Sequence, residues 1–269
     1  MPELPEVEAV TRRVRRMAAG ARIVSAGLYR AGIAAPQNPE KIRRGTRGQR
    51  IEAVERRGKN ILVFLDGGSV LRVHLRMTGN LTVIADHRLR PVTARAWFEL
   101  DGGRAMILDD PRALGRITLH KTAELAKLFS NLGPEPLGPE FTPEFLARIA
   151  AASRKPIKLL LMDQRLIAGL GNIYAVEALF QAGIHPARKA CRAGAGRLRA
   201  LHAAIVGTLK LAIDSAIKAY ELPGGFSEEE VFPAAVYGRE GEACLRCRRL
   251  VRRMKQGGRS TYYCPGCQK

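Results

Sequence analysis

Four of the five cysteines fall in the last 26 residues, as two pairs, Cys244-x2-Cys247 and Cys264-x2-Cys267, with sixteen residues between them. Each pair can present two thiolates to one tetrahedral ion from a tight turn, and the gap suits a β-hairpin between the turns. The spacing reads as one structural zinc ion, because no water-activating ligand set accompanies it. Two disulfides are the alternative, unusual in a cytosolic chain. Arg246 lies within the first pair, and Arg248, Arg249, Arg252, Arg253, Lys255 and Arg259 lie between the pairs. They read as a basic hairpin for phosphate contacts or as a solvated face.

The second stretch with chemical potential is the start, MPELPEVE. It holds three glutamates, two prolines and no base, in a protein of formal charge +20. Initiator methionine is normally removed before a small residue, which leaves Pro2 with a free secondary amine. An α-amino group titrates at about pH 8, and a helix N-terminus disfavours its ammonium form. An unprotonated amine can attack a sugar C1′ and form an iminium, as lysine does in Schiff-base enzymes. Glu3 beside it can serve as acid or electrostatic partner. The same residues also make a well-capped helix start. Glu3 and Glu6 suit the positive end, and Pro2 and Pro5 cost no helical N–H.

The elements that must position these groups follow from periodicity. Val7, Val10, Val14 and Met17 recur at helical spacing before Gly20, which predicts a helix over 3–19. Residues 21–120 read mainly as strands. ILVFL and VLRVHL flank Asp66-Gly67-Gly68, and WFEL and RAMIL flank Asp101-Gly102-Gly103, two hairpin signals. Short strands with Gly-rich turns point to a sandwich or barrel. NLGPEPLGPEFTPE, over 131–144, marks a domain boundary. Beyond it IKLLLMDQRLIA, IYAVEALFQAG and GRLRALHAAIVGTLKLAIDSAIKAY have helical spacing, and 221–236 is irregular. Cys191 reads as a small hydrophobe in this helical region.

Length allows one large domain or two to three smaller ones. No apolar run has transmembrane length, and the acidic, proline-bearing start lacks the features of a signal peptide, so the expected location is intracellular. Forty-five Lys+Arg against twenty-five Asp+Glu make a polyanion, usually nucleic acid, the expected partner. A solubilising surface or ribosome association would also account for the charge. With 6% aromatics and one tryptophan, a surface built on base stacking is disfavoured.

Six motifs, taken together, resemble the formamidopyrimidine-DNA glycosylases, a family related to endonuclease VIII. They are MPELPEVE, HLRMTG (74–79), DPRALG (110–115), GLGNIYAVEALFQAGIHP (169–186), VYGR (236–239) and the paired cysteines, in family order along essentially the whole chain. The resemblance implies an α+β multidomain protein. An N-terminal β-sandwich with an N-terminal helix would occupy 1–130, a helix-two-turn-helix domain 131–238, and a β-hairpin zinc finger 239–269. It also implies a bifunctional DNA glycosylase and abasic-site lyase of the bacterial cytoplasm and nucleoid. Such an enzyme acts on damaged duplex DNA held in a cleft between two lobes. No organic cofactor is expected, and because the sequence carries no oligomerisation signal a monomer is expected.

Carried onto this sequence, Pro2 matches the family nucleophile, Glu3 the acid that assists sugar-ring opening, and Glu6 a carboxylate that holds the geometry. Lys59 matches a lysine near the lesion's phosphate, Asn172 a phosphate-binding asparagine, and Arg259 the finger arginine that grips phosphates around the flipped nucleotide. His74, Tyr237 and Arg253 are further backbone contacts. Met77 and Arg112 match two of three residues that fill the gap left by the flipped base. The third is commonly phenylalanine and here is Leu114, while Ala113 replaces a frequently basic residue. The segment before VYGR is shorter than in members that act on 8-oxoguanine, and acidic at Glu228-Glu229-Glu230. That departure counts against 8-oxoguanine specificity and leaves formamidopyrimidines, oxidised pyrimidines or other lesions open, with an endonuclease VIII-like enzyme that prefers oxidised pyrimidines as the alternative within the enzyme class. Two other readings compete. A non-catalytic damaged-DNA-binding protein would use Pro2 only to start a helix. A zinc-ribbon RNA-binding protein would explain charge and zinc but neither HLRMTG nor GLGNIYA.

Overall fold

A computed structural model describes residues 2–221 and 232–269. The acidic Glu228-Glu229-Glu230 stretch lies outside them. Two compact units emerge, one from residues up to 130 together with the last turn of a long helix from Ile217, the other from residues 131–216 and 232–269.

The first unit is a sandwich. Its strands are β1 (Ile23–Leu28), β2 (Ile51–Arg57), β3 (Asn60–Leu65), β4 (Ser69–His74), β5 (Asn80–Ile84), β6 (Ala94–Leu100), β7 (Ala105–Asp109) and β8 (Arg116–Lys121). They form two four-stranded antiparallel sheets, ordered β1-β6-β7-β5 and β2-β3-β4-β8. The two hairpins read from the sequence are present as β3–β4 and β6–β7. Period-2 alternation in β6 turns Ala96, Phe98 and Leu100 inward. Both sheets supply one core, with Phe98, Met106 and Leu108 from one and Val63, Leu71, Val73 and Ile117 from the other.

Helix α1 (Leu4–Ala18) lies on the edge strands β2 and β5, and α2 (Pro39–Thr46) on the opposite edges β1 and β8. The two helices therefore cover the open sides of both sheets, where unpaired strand edges would invite aggregation. Val7, Val10 and Val14 of α1 are fully buried in the sandwich core. A short helix, α3 (Leu125–Leu128), ends the unit.

The second unit holds α4 (Pro143–Ala151), α5 (Ile157–Leu161), α6 (Asn172–Gln181) and α7 (Ala195–Glu221), followed by the hairpin β9 (Arg252–Gln256) and β10 (Arg259–Tyr263). The sequence expects IKLLLMDQRLIA to be helical throughout, but α5 stops at Leu161. Polar side chains capture the backbone there. Asp163 accepts the Arg165 N–H, and Gln164 bonds the Met162 and Leu170 carbonyls and the Gly169 N–H. These local bonds compete with helical ones. Cys191 sits exposed on a single 3-10 turn, not packed as a small hydrophobe. Helix α7 is long and apolar enough to cross a membrane by length and composition, contrary to the sequence expectation. Leu198, Leu201, Ile205, Leu209, Ala212 and Ala216 recur at three and four and are buried, the stripe of a core helix.

Candidate active site and nucleic-acid interface

The opening stretch folds as a helix N-terminus with its carboxylates buried. Pro2 is buried, Glu3 is the N-cap of α1, and Pro5 takes a first-turn position. The Glu6 carboxylate accepts the Glu3 backbone N–H at 2.8 Å. Glu3 and Glu6 are 1% and 0% exposed, so both acids face the protein and not solvent. One turn on, Glu8 bonds Arg12 at 2.7 Å and Arg56 of β2 at 2.9 Å. Burial opposes its charge, but the two guanidiniums outweigh burial and hold Glu8 below the usual carboxylate range. Arg15 donates to the Val54 carbonyl, and Arg13 to Asn80 and the Leu81 carbonyl. The arginines of α1 thus pin the helix to β2 and β5. The first residues are held on a fixed frame.

Lys59 lies in the tight β2–β3 turn, half-buried, next to Asn60, which pairs with His74 at the end of β4. Burial, then the charges of Arg76, Arg72 and Lys59, lower His74 to about 4. At neutral pH it is an uncharged imidazole. Its Nδ1 accepts the Arg76 N–H at 3.1 Å, which leaves the proton on Nε2 as a donor. Because an unfolded histidine titrates at about 6.5, the unfolded chain takes up the proton first as pH falls. The stability from keeping His74 neutral is complete above about pH 6.5 and lost toward pH 4, about 3 kcal/mol in all. His74→Asn keeps an acceptor without the titration. Thermal unfolding followed from pH 7 to pH 4 is expected to show a shallower decline for this variant than for the parent chain.

Met77, Arg112 and Leu114 are exposed on two loops, β4–β5 and β7–β8. Each loop carries one non-glycine residue with left-handed backbone, Arg76 at φ 60° and Ala113 at φ 53°. Such residues cost on the order of 1 kcal/mol each and persist where neighbouring bonds impose them.

In the second unit, Asn172 begins α6, behind Gly171. Its Nδ2 donates to the Ser260 carbonyl of β10 at 3.0 Å, which brings the Arg259 end of the hairpin to this helix start. An amide nitrogen has two donors, so one serves Ser260 and the second suits an anion, as do the first N–H groups of α6. Arg259 follows a two-residue Gly257-Gly258 turn with φ of 55° and 76°, the type I′ geometry that glycine permits, and it is exposed. Tyr237 packs edge-on against Tyr262 of β10, with ring centroids 5.1 Å apart. Its backbone N–H, with those of Ala235 and Val236, is held by the buried Glu177 carboxylate. Arg253 is exposed and paired with Glu240 at 2.6 Å, a surface pair of little strength that phosphate can replace. Arg246 lies over the Phe180 ring at 4.4 Å while staying exposed.

The Cys244, Cys247, Cys264 and Cys267 sulfurs all lie within 4.8 Å of one another. Tetrahedral Zn–S bonds of about 2.3 Å place sulfurs about 3.8 Å apart. Cys244–Cys267 at 3.8 Å matches that edge, and Cys247–Cys264 at 3.3 Å is shorter than it. Burial and the neighbouring sulfurs push the Cys267 thiol up to about 12, so four thiolates coexist here only around a cation. A Cβ on Gly266 would meet the Cys247 sulfur at 2.9 Å, so the second turn requires glycine. The donor set and its spacing are those of one structural zinc ion.

Glu177, Gln164 and Asp110 escaped sequence reading. Each is a lone polar residue in an apolar or turn context, whose partners no local pattern reveals: backbone groups for Glu177 and Gln164, and the Thr78 hydroxyl with the Gly115 N–H for Asp110.

Comparison with known proteins covers nearly the whole chain. Residues 1–117 match the formamidopyrimidine-DNA glycosylase N-terminal domain, 132–221 the H2TH domain of the same enzymes, and 241–269 the zinc finger found in FPG and IleRS. The formamidopyrimidine-DNA glycosylase of Ruegeria pomeroyi is 39% identical over 284 residues, covering 100% of both chains. That of Chloroflexus aurantiacus is 40% identical over 271 residues, covering 100% of this chain and 98% of its own. Among solved structures, Lactococcus lactis FPG (MutM) in complex with DNA containing FAPY-dG superposes with a TM-score of 0.91. It is 30% identical and covers 99% of this chain and 100% of its own.

Proposed function

This chain belongs to the formamidopyrimidine-DNA glycosylase family, and we propose that it excises oxidised bases from duplex DNA and then cleaves the strand. The observation that carries the reading is the start of α1, where Pro2 adjoins two buried carboxylates, one of which holds the backbone of the other. With Met1 removed, the Pro2 nitrogen lone pair attacks C1′ of the damaged nucleotide. The glycosidic bond breaks, its electron pair leaves with the base, and the sugar stays on Pro2 as an iminium. Glu3 protonates the ring oxygen as the sugar opens, and Glu6 fixes Glu3 by its backbone bond. The iminium acidifies the adjacent carbon, so β- and then δ-elimination expels both phosphates.

The other residues hold DNA in this account. Neutral His74 donates through Nε2, and Lys59 beside it supplies charge to the lesion's phosphate. Asn172, the α6 N-terminus and Arg259 form a phosphate grip, with Arg253 on the zinc-supported hairpin and Tyr237 packed against it. Flipping the damaged nucleotide costs a few kcal/mol. Met77, Arg112 and Leu114 fill the space it leaves, Leu114 as an aliphatic wedge without an aromatic face. The L. lactis relative was solved with FAPY-dG DNA, and formamidopyrimidine is the substrate we assign to this chain.

Duplexes carrying formamidopyrimidine, 8-oxoguanine, thymine glycol or a bare abasic site test the assignment by free-base release. Formamidopyrimidine is expected first. Release of thymine glycol alone would reassign the chain to oxidised pyrimidines, and tight binding without any release would leave a binding protein. Glu3→Gln is expected to slow base release by about 10²- to 10⁴-fold, the range of general-acid effects, measured in single turnover. Trapping at a preformed abasic site should fall less.

A further inference from the structure

Asp110 is 0% exposed, yet it lies at the mouth of the β7–β8 loop beside solvent-facing residues. Both of its carboxylate oxygens are committed. Oδ2 accepts the Gly115 N–H at 2.7 Å and closes its own loop. Oδ1 accepts the Thr78 hydroxyl at 2.5 Å, from the other loop. Its backbone is used as fully. The carbonyl accepts from Ala113 N–H at 3.1 Å and from Arg95 Nε at 2.7 Å, and the N–H donates to Thr93. A Cβ on Gly115 would stand 3.2 Å from Oδ2, so glycine there lets the carboxylate approach.

We propose that Asp110 and Thr78 form a staple that locks the Met77 loop to the Arg112–Leu114 loop, so that the inserting residues act as one rigid wedge. The proposal rests on the reading of Met77, Arg112 and Leu114 as inserting residues. The physical case is in the bonds. Thr78 follows Met77 directly, and Ala113 separates Arg112 from Leu114. Bonds from Asp110 therefore reach the neighbours of all three. They also hold Ala113 left-handed, through its N–H. A wedge that must displace a base works only if its parts do not yield, and a hydrogen bond to a buried carboxylate is among the stronger ones available. Thr78 and Asp110 are positioning residues, because they reach DNA only through their neighbours.

Thr78 is exposed, so its replacement leaves the core untouched. The probe is a duplex carrying a tetrahydrofuran abasic analogue with 2-aminopurine beside it, whose fluorescence rises when a side chain unstacks it. Thr78→Val, which deletes the hydroxyl, is expected to slow the rise about tenfold, while Thr78→Ser retains the parent rate. In a Met77→Ala, Leu114→Ala background, Thr78→Val should add nothing. Parent-like kinetics for Thr78→Val, an equal defect in Thr78→Ser, or additivity in that background would each overturn the staple. Failure of the reading beneath it looks different: Met77→Ala, Leu114→Ala alone would then leave the fluorescence rise intact.

Discussion

A chain extended at its N-terminus so that Pro2 stays in a peptide bond is expected to form no borohydride-trapped adduct. Its strand cleavage should fall by on the order of 10³-fold or more. An amide nitrogen has no basic lone pair, so the covalent route closes while the fold persists. The fold has little reason to change, because α1 is held by Val7, Val10 and Val14 in the core and by Arg13, Arg15 and Glu8 on the strands. Duplex affinity, read by fluorescence anisotropy, should stay within a few-fold of the parent. Pro2→Ala, which keeps a primary amine at the same place, should retain part of the adduct. Full cleavage by the extended chain would place the nucleophile elsewhere.

The second large effect concerns the finger. Removing zinc by chelation, or replacing Cys264 by serine, is expected to weaken duplex binding about 100-fold. Structural zinc contributes about 10–16 kcal/mol to small finger folds, and the finger buries little else among its described residues: Val251, Thr261, Gln268 and the cysteines Cys244 and Cys264. Without the ion, Arg252, Arg253, Lys255 and Arg259 lose their common frame. The slope of log affinity against log salt should then become shallower by about 2 to 4, one contact per cation released from the grip. Titration of binding against salt, with and without chelator, measures both numbers. An unchanged slope would mean that the hairpin does not touch phosphate.

Much of this was legible in the sequence because the signals are local. The Gly-rich turns at 66–68 and 101–103 fixed two hairpins, and the cysteine spacing fixed the metal site. The α1 stripe of Val7, Val10 and Val14 marked a buried helix, and Glu3 and Glu6 marked its start. What could not be read depends on distant partners. Asp110 sits in a motif that looks like a turn, and its role appears only when Thr78 arrives from another loop, 32 residues away. Glu177 is one acid in an apolar helix until residues 235–237 present three N–H groups to it. Arg246 also belongs to the basic run in sequence, but that its exposed side chain rests on the Phe180 ring and bonds the Phe180 carbonyl cannot be read from the run alone. The end of α5 at Leu161 was hidden for a similar reason, since Asp163 and Gln164 are tolerable in a helix until their side chains find the turn. Asn172 and Arg259 were each matched to a phosphate contact separately. The bond from Asn172 to Ser260 is what makes them one grip.

The most direct test of the central claim is borohydride trapping on an abasic-site duplex, followed by peptide mass spectrometry of the adduct, with Met1 removal verified in the same sample. A covalent sugar is expected on the nitrogen of Pro2, in the peptide beginning PELPEVE. An adduct on Lys59 or any other lysine, or no adduct from a chain that lacks Met1, would contradict it.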